Sequence, residues 1–177
     1  TNTAALFKPF SLKSLSLPNR IAMAPMTRSF SPDGVPGADV AAYYYQTDLR
    51  TTGAFADNNV PTTDRDENPA QHMVTFTLGL GLEGFMDYQS DYETAATGDF
   101  AKIKAGTNNA CSWTTGTCNW PVPSSNDPST LDDLWHAAVN GRGLYFSAKD
   151  PNSLQSGLTT ALQAIKVTTG AAASSAT

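Results

Sequence analysis

The chain has 177 residues, of which 40% are hydrophobic and only 15% are charged, and its formal net charge is −5. This length is enough for one domain with a core, whereas the acidic balance excludes the basic surface that attracts nucleic acids and anionic membranes. No apolar run approaches the roughly 20 residues that span a bilayer, and the start lacks the features of a signal peptide, so we expect a processed product or an excised fragment.

The first part of the chain predicts a β-arm, a strand and a helix. Apolar and polar residues alternate over residues 9–17, which is typical of a small hairpin or arm. The apolar run at 19–26 predicts a buried strand, and the turn-rich stretch 31–37 separates it from a helix predicted over 38–49. The predicted buried face of that helix carries Val40, Ala41, Tyr44 and Tyr45.

The middle of the chain predicts one strand between two loops. Residues 51–70 are polar and contain proline, and we expect a loop there. Apolar and β-branched residues make 73–82 the clearest strand of the chain. Residues 83–128 are rich in Gly, Asn, Ser and Pro, which predicts a long loop with one short helix near 98–105.

A helix with defined ends is predicted over residues 129–140. Ser129 is the expected N-cap, Asp132 would complete a variant capping box, and Gly141 ends the helix. Its predicted buried stripe carries Leu131, Leu134, Trp135, Ala138 and Val139.

The last part of the chain predicts a strand at 143–148 and a helix at 151–166, which begins at a proline in the first helical position. Residues 167–177 are small and polar, and we expect a flexible tail there. One face of the last helix is predicted to carry Leu154, Leu158, Leu162 and Ile165.

The alternation of strands and helices predicts an α/β fold. We expect a parallel sheet of about three main strands with crossover helices, in two or three layers, preceded by the N-terminal β-arm. Residues 1–166 would form a single domain. Such a small sheet leaves its edges open, so we expect a homo-oligomer that forms through an edge strand or a swapped N-terminal arm.

Cys111 and Cys118 are the only cysteines of the chain. They do not form a Cys-x-x-Cys redox motif, and no second pair could complete a zinc site. Either both are free thiols in a polar loop, or they form a local disulfide, which we favour. A disulfide would require an oxidising compartment.

The long loop 83–128 is the predicted contact site. Loops that leave the carboxyl ends of parallel strands form the binding edge of such sheets, and connections of this length are often functional. Trp113 and Trp120 lie in this loop beside the cysteines, and a rigid aromatic loop suits contact with a protein. The alternative is a loop without a function of its own.

Residues 6–37 resemble the start of Old Yellow Enzyme-type flavin oxidoreductases. The resemblance rests on Asn-Arg-Ile-Ala-Met-Ala-Pro-Met-Thr-Arg at 19–28, which in that family is the first strand of a (β/α) barrel. It implies that Pro25, Met26 and Thr27 would contact FMN. Only this one strand is present, and one strand cannot hold the cofactor, so we expect no bound cofactor.

Residues 38–177 resemble PilY-type proteins of type IV pilus assembly and pilus tips. The similar stretches are 38–50, 71–81 and 132–143, of which the last is Asp-Asp-Leu-Trp-His-Ala-Ala-Val-Asn-Gly-Arg-Gly. The resemblance implies the C-terminal half of a von Willebrand factor A-like domain. The Asp-x-Ser-x-Ser metal motif of such domains is missing, since the nearest string, at 127–131, ends in Leu, and we expect no metal.

These resemblances imply a non-enzymatic module for adhesion or interaction. It would act outside the cell or at the cell surface, after passage through the periplasm, and would bind a protein or surface partner through residues 83–128. Two alternatives remain: a truncated relic of an FMN-dependent ene-reductase, and a chimera without an evolved function.

Overall fold

The computed structural model describes residues 10–12, 15–17, 36–53, 56–81, 83–148 and 151–174. It has the predicted α/β architecture at this coarse level, with helices packed on a parallel pair of strands. The elements in chain order are β1 (Phe10–Leu12), β2 (Leu15–Leu17), α1 (Gly37–Gln46), β3 (Thr75–Leu80), α2 (Asp99–Ala105), α3 (Ser129–Asn140), β4 (Arg142–Ala148) and α4 (Pro151–Ser174).

Strands β3 and β4 pair in parallel, with Thr77 opposite Tyr145. Helix α3 lies in the connection between them and packs against both strands; the Thr77 hydroxyl donates a hydrogen bond of 2.6 Å to the Leu134 carbonyl. Strands β1 and β2 form the antiparallel hairpin that the alternating pattern predicts. The third predicted strand, 19–26, lies outside the described residues and stays a prediction.

Trp135 of α3 is the centre of the core, with 2% of its surface exposed. Its ring stacks on Tyr145 of β4 at a centroid distance of 5.5 Å, and it meets Tyr92 at 5.0 Å and Phe100 at 5.9 Å. Tyr92 and Phe100 belong to residues 83–128, which we name the cover segment. The cover segment therefore supplies a large part of the aromatic core, although its composition is that of a loop.

Two adjacent carboxylates on α3 hold two distant parts of the chain. Asp132 accepts the backbone N–H groups of Phe85 at 2.8 Å and Met86 at 3.1 Å. Asp133 accepts those of Gly37 at 2.7 Å and Ala38 at 3.2 Å. Burial raises the pKa of Asp132, although the two N–H bonds oppose this shift. Helix α3 thus fixes the start of the cover segment and the start of α1.

The capping box predicted for α3 is wrong, although the bounds of the helix are those predicted. The N-cap is Pro128, whose side chain forms no capping hydrogen bond. Asp132 does not turn back to the helix start because it holds the cover segment. Ser129 is the first helical residue, and its N–H donates to Asp127 Oδ1 at 3.0 Å.

The predicted buried face of α1 is partly wrong. Ala41 and Tyr45 are buried as expected, but Val40 and Tyr44 are exposed, and Ala38 is buried instead. The helix packs on α3, and the small side chains of Ala38 and Ala41 allow a close approach. It also ends at Gln46, earlier than position 49.

Helix α4 differs from its prediction in length. It continues to Ser174 instead of ending at residue 166. On the predicted face, Leu154 is half-buried, whereas Leu158 and Leu162 are exposed. The buried Gly157 lies against the ring of Phe146 in β4.

We expect Asp132→Ala to lower the free energy of unfolding by about 2–3 kcal/mol, because two backbone N–H groups then lose a charged acceptor inside the protein. Urea unfolding followed by circular dichroism measures this change. Asp133→Ala is the matched control next to it and removes only the cap of α1, for an expected loss of about 1 kcal/mol. An equal loss in both variants would contradict the special role of Asp132.

Candidate functional site

The cover segment lies along the outer edge of β4. The backbone N–H of Tyr145 donates to the Tyr92 hydroxyl at 3.1 Å, and the Tyr88 hydroxyl donates to the Tyr145 carbonyl at 3.4 Å. Burial raises the pKa of Tyr92 to about 12 and also raises that of Tyr88, so both hydroxyls keep their protons at neutral pH. Two tyrosine side chains thus take the place of a neighbouring strand at this point of the edge.

Sequence reasoning did not identify these two tyrosines. Tyr88 and Tyr92 lie in a stretch that the composition assigns to a loop, so no helix or strand pattern marked them as core residues. Their spacing of four, together with Met86 just before them, is the signal that could have shown a buried apolar cluster.

The disulfide between Cys111 and Cys118 is confirmed. Both cysteines are buried, and their Cα atoms lie 5.5 Å apart. Backbone hydrogen bonds hold the loop from both sides: Cys118 N–H donates to the Thr107 carbonyl at 2.7 Å, and Asn109 N–H donates to the Gly116 carbonyl at 2.6 Å. The loop is therefore held in one shape by covalent and backbone bonds together.

Trp113 and Trp120 are half-buried anchors of the cover segment. The Trp113 indole N–H donates to the Asn119 carbonyl at 2.8 Å. The Trp120 ring stacks on the imidazole of His136 with a centroid distance of 4.4 Å and an angle of 8° between the planes. Each tryptophan packs against the core and keeps part of its surface in solvent. A direct contact of either one with a partner stays a prediction.

The most exposed large apolar side chain of the cover segment is Val122, at 84%. It follows Trp120 and the buried Pro121 in sequence, so its backbone is held by anchored neighbours. Val122 is therefore more accessible to another surface than either half-buried tryptophan is.

His136 of α3 lies between the aromatic core and the acidic residues of α1 and α3. Burial lowers its pKa from the ordinary value of 6.5, while the charges of Asp133 and Asp39 oppose this shift. The folded protein thus favours the neutral imidazole that stacks on Trp120.

In the described part of the chain, no three His, Cys, Asp or Glu side chains are grouped to hold a metal ion. Asp127, from the string nearest to the metal motif, accepts the N–H of Ser129 at the start of α3. Pro25, Met26 and Thr27 lie outside the described residues, so their expected contact with FMN is untested.

Among the described residues, no helix has both the length and the apolarity needed to cross a membrane.

Comparison with known proteins finds similarity to type IV pilus proteins. No protein-family model matches the chain, and no solved structure matches it. Type IV pilus biogenesis factor PilY1 of Pseudomonas aeruginosa strain PAO1 is 36% identical over 134 residues, which cover 66% of this chain and 10% of that protein. PilY1 of strain PAK is 35% identical over 134 residues with the same coverage. This chain carries a PilY1-like segment.

The chain spans about a tenth of the length of the PilY1 proteins that it matches. The identity to PilY1 confirms the predicted resemblance to PilY-type pilus proteins for a PilY1-like segment of the chain. The von Willebrand A-like assignment, the reductase resemblance of residues 6–37 and the expected homo-oligomer stay predictions.

Replacing both Cys111 and Cys118 by Ser should lower the free energy of unfolding by about 2–3 kcal/mol, because the disulfide restricts the unfolded chain over a short loop. Urea unfolding of this variant and of the parent protein measures the loss. Adding a reductant to the parent protein should reproduce it, and the same reductant should leave the variant unchanged. If the reduced parent protein had free thiols but an unchanged free energy of unfolding, the prediction would be contradicted.

The lowered pKa of His136 makes the free energy of unfolding depend on pH. As pH falls through about 6.5, the unfolded state takes up the proton before the folded state does, so the protein loses stability in acid. His136→Phe keeps an aromatic ring but cannot titrate, so its stability should fall less between pH 8 and pH 5 in urea unfolding. If the free energy of unfolding fell equally with pH in both proteins, the assignment of this pH dependence to His136 would be refuted.

Proposed function

We propose that the chain is a non-catalytic interaction module of a type IV pilus protein, which binds a protein or surface partner through the cover segment. The observation that carries this proposal is the similarity to PilY1 over two thirds of the chain. The name of those relatives describes the biogenesis of a pilus rather than a chemical reaction, which supports a role in assembly or adhesion.

The cover segment suits such a role because it is rigid before any partner arrives. The disulfide, the hydrogen bond of Trp113 and the stacking of Trp120 on His136 hold it in place. A surface that is already ordered loses less conformational entropy on binding. Val122, with the outer faces of both tryptophans, would form the contact.

The buried disulfide supports a location outside the cytoplasm. Disulfides form and persist in the periplasm and outside the cell, whereas cytosolic thiols are kept reduced. We therefore place the module at the cell surface or outside the cell, reached through the periplasm, as expected for a protein related to pilus biogenesis factors.

The proposed contact surface predicts a selective effect of Val122→Asp. Beads coated with the purified chain should bind to isolated type IV pili or to cultured epithelial cells, and we expect Val122→Asp to lower retention at least fivefold. Because Val122 is exposed, the free energy of unfolding should change by less than about 0.5 kcal/mol. Trp113→Ala should lower retention too, with some loss of stability.

Tyr43→Asp is the matched control, since Tyr43 is an exposed apolar residue of α1 outside the cover segment. Its beads should be retained as well as those of the parent protein. Absence of retention on both surfaces, or equal retention of the parent protein and Val122→Asp, would count against the proposed function.

A further inference from the structure

Two arginine side chains line one groove of this acidic protein, and a lysine lies close to it. Arg65 and Arg142 line an open cavity of about 150 Å³ together with the rings of Tyr92 and Phe100. Lys104 lies at its side, with its ammonium 5.1 Å from the centre of the Phe100 ring. The net charge of the whole chain is −5, so this concentration of positive charge does not follow from composition.

The backbone of Arg142 adopts a conformation that arginine does not favour. Its φ is +57°, in the left-handed region, where a Cβ atom crowds the neighbouring carbonyl. Gly143 follows it and lies so close to the backbone of Thr75 that no Cβ fits there. The turn into β4 would form more easily with glycine or asparagine at position 142, so the arginine indicates a role beyond the turn.

The guanidinium of Arg142 is held in place and still open to a ligand. It lies 5.3 Å from the centre of the Tyr45 ring, a contact that orients the cation without neutralising it. In the described part of the chain no carboxylate forms an ion pair with it. Arg65, by contrast, forms two hydrogen bonds with Glu93, at 2.9 Å and 2.5 Å.

The dimensions and charges of the groove indicate one class of ligand. A volume of about 150 Å³ is well below the roughly 300–1,000 Å³ of pockets for small molecules, but it has room for one side chain. Glu93 lines the same groove and would repel a doubly charged phosphate more strongly than a singly charged carboxylate. Aromatic walls beside an arginine suit the methylene stem and the carboxylate of Asp or Glu.

We propose that this groove binds a carboxylate side chain of an acidic segment in a partner protein. Arg142 is its principal donor, through the paired N–H groups that a guanidinium offers to a carboxylate. Lys104 adds positive charge nearby, Arg65 is already paired with Glu93, and Tyr92 and Phe100 contact the stem of the ligand. The proposal does not rest on a contact role of Val122, Trp113 or Trp120.

The variant Arg142→Gly tests the role of the guanidinium in binding with little expected change in stability. Glycine adopts a φ of +57° freely, so the variant should unfold at a urea concentration close to that of the parent protein. The probe is the tetrapeptide acetyl-Glu-Glu-Glu-Glu-amide, titrated into ¹⁵N-labelled protein and followed by NMR. We expect the parent protein to bind it, with shifts at Gly143 and Phe100, and Arg142→Gly to bind it at least tenfold more weakly.

Two further ligands identify the class of ligand, and two further variants show whether a loss of affinity comes from Arg142 itself. Acetyl-Gln-Gln-Gln-Gln-amide and inorganic phosphate should bind at least tenfold more weakly than the acidic peptide, and Arg142→Lys should recover part of the affinity. Arg50→Gly changes the net charge equally and should bind like the parent protein. Absence of peptide binding, equal binding of phosphate, or an equal loss in Arg50→Gly would each overturn the proposal. Val122→Asp should keep peptide binding, so this inference and the proposed function can fail separately.

Discussion

Helix α3 joins parts of the chain that are far apart in sequence, through two carboxylates and one indole ring. Asp132 holds the start of the cover segment, and Asp133 holds the start of α1. Trp135, on the face toward the sheet, stacks on β4. The described part of the fold depends on these contacts because the parallel pair of β3 and β4 is too small to bury a core by itself.

The cover segment combines two roles that proteins usually divide between core and loops. It contributes Met86, Tyr92 and Phe100 to the buried cluster and also carries the exposed Val122. Tyr88 and Tyr92 satisfy backbone groups of Tyr145 at the outer edge of β4. A contact surface built on such a segment is rigid because aromatic side chains of the segment pack in the core. Shortening one of these side chains is therefore expected to change both the free energy of unfolding and the affinity for a partner.

The proposed carboxylate groove and the proposed contact surface share the cover segment but depend on different kinds of interaction. At Val122 the proposed interaction is apolar and is expected to respond little to salt. At Arg142 it is electrostatic and should weaken as salt screens the charges. A PilY1-like segment with both surfaces could hold a partner through one apolar and one acidic contact.

Local patterns in the sequence determined the α/β class, the parallel pairing of β3 and β4, the bounds of α3 and the disulfide. Periodicity and turn residues report the conformation of a short stretch, and a disulfide between cysteines seven positions apart is itself a local feature. Only the tertiary structure decided that Asp132 holds the cover segment, that Tyr88 and Tyr92 cover the edge of β4, and that Arg142 faces a groove. Each of these features joins residues that lie far apart in sequence. The packing of distant elements brings such residues together, and the pattern of a single stretch does not show which residues will meet.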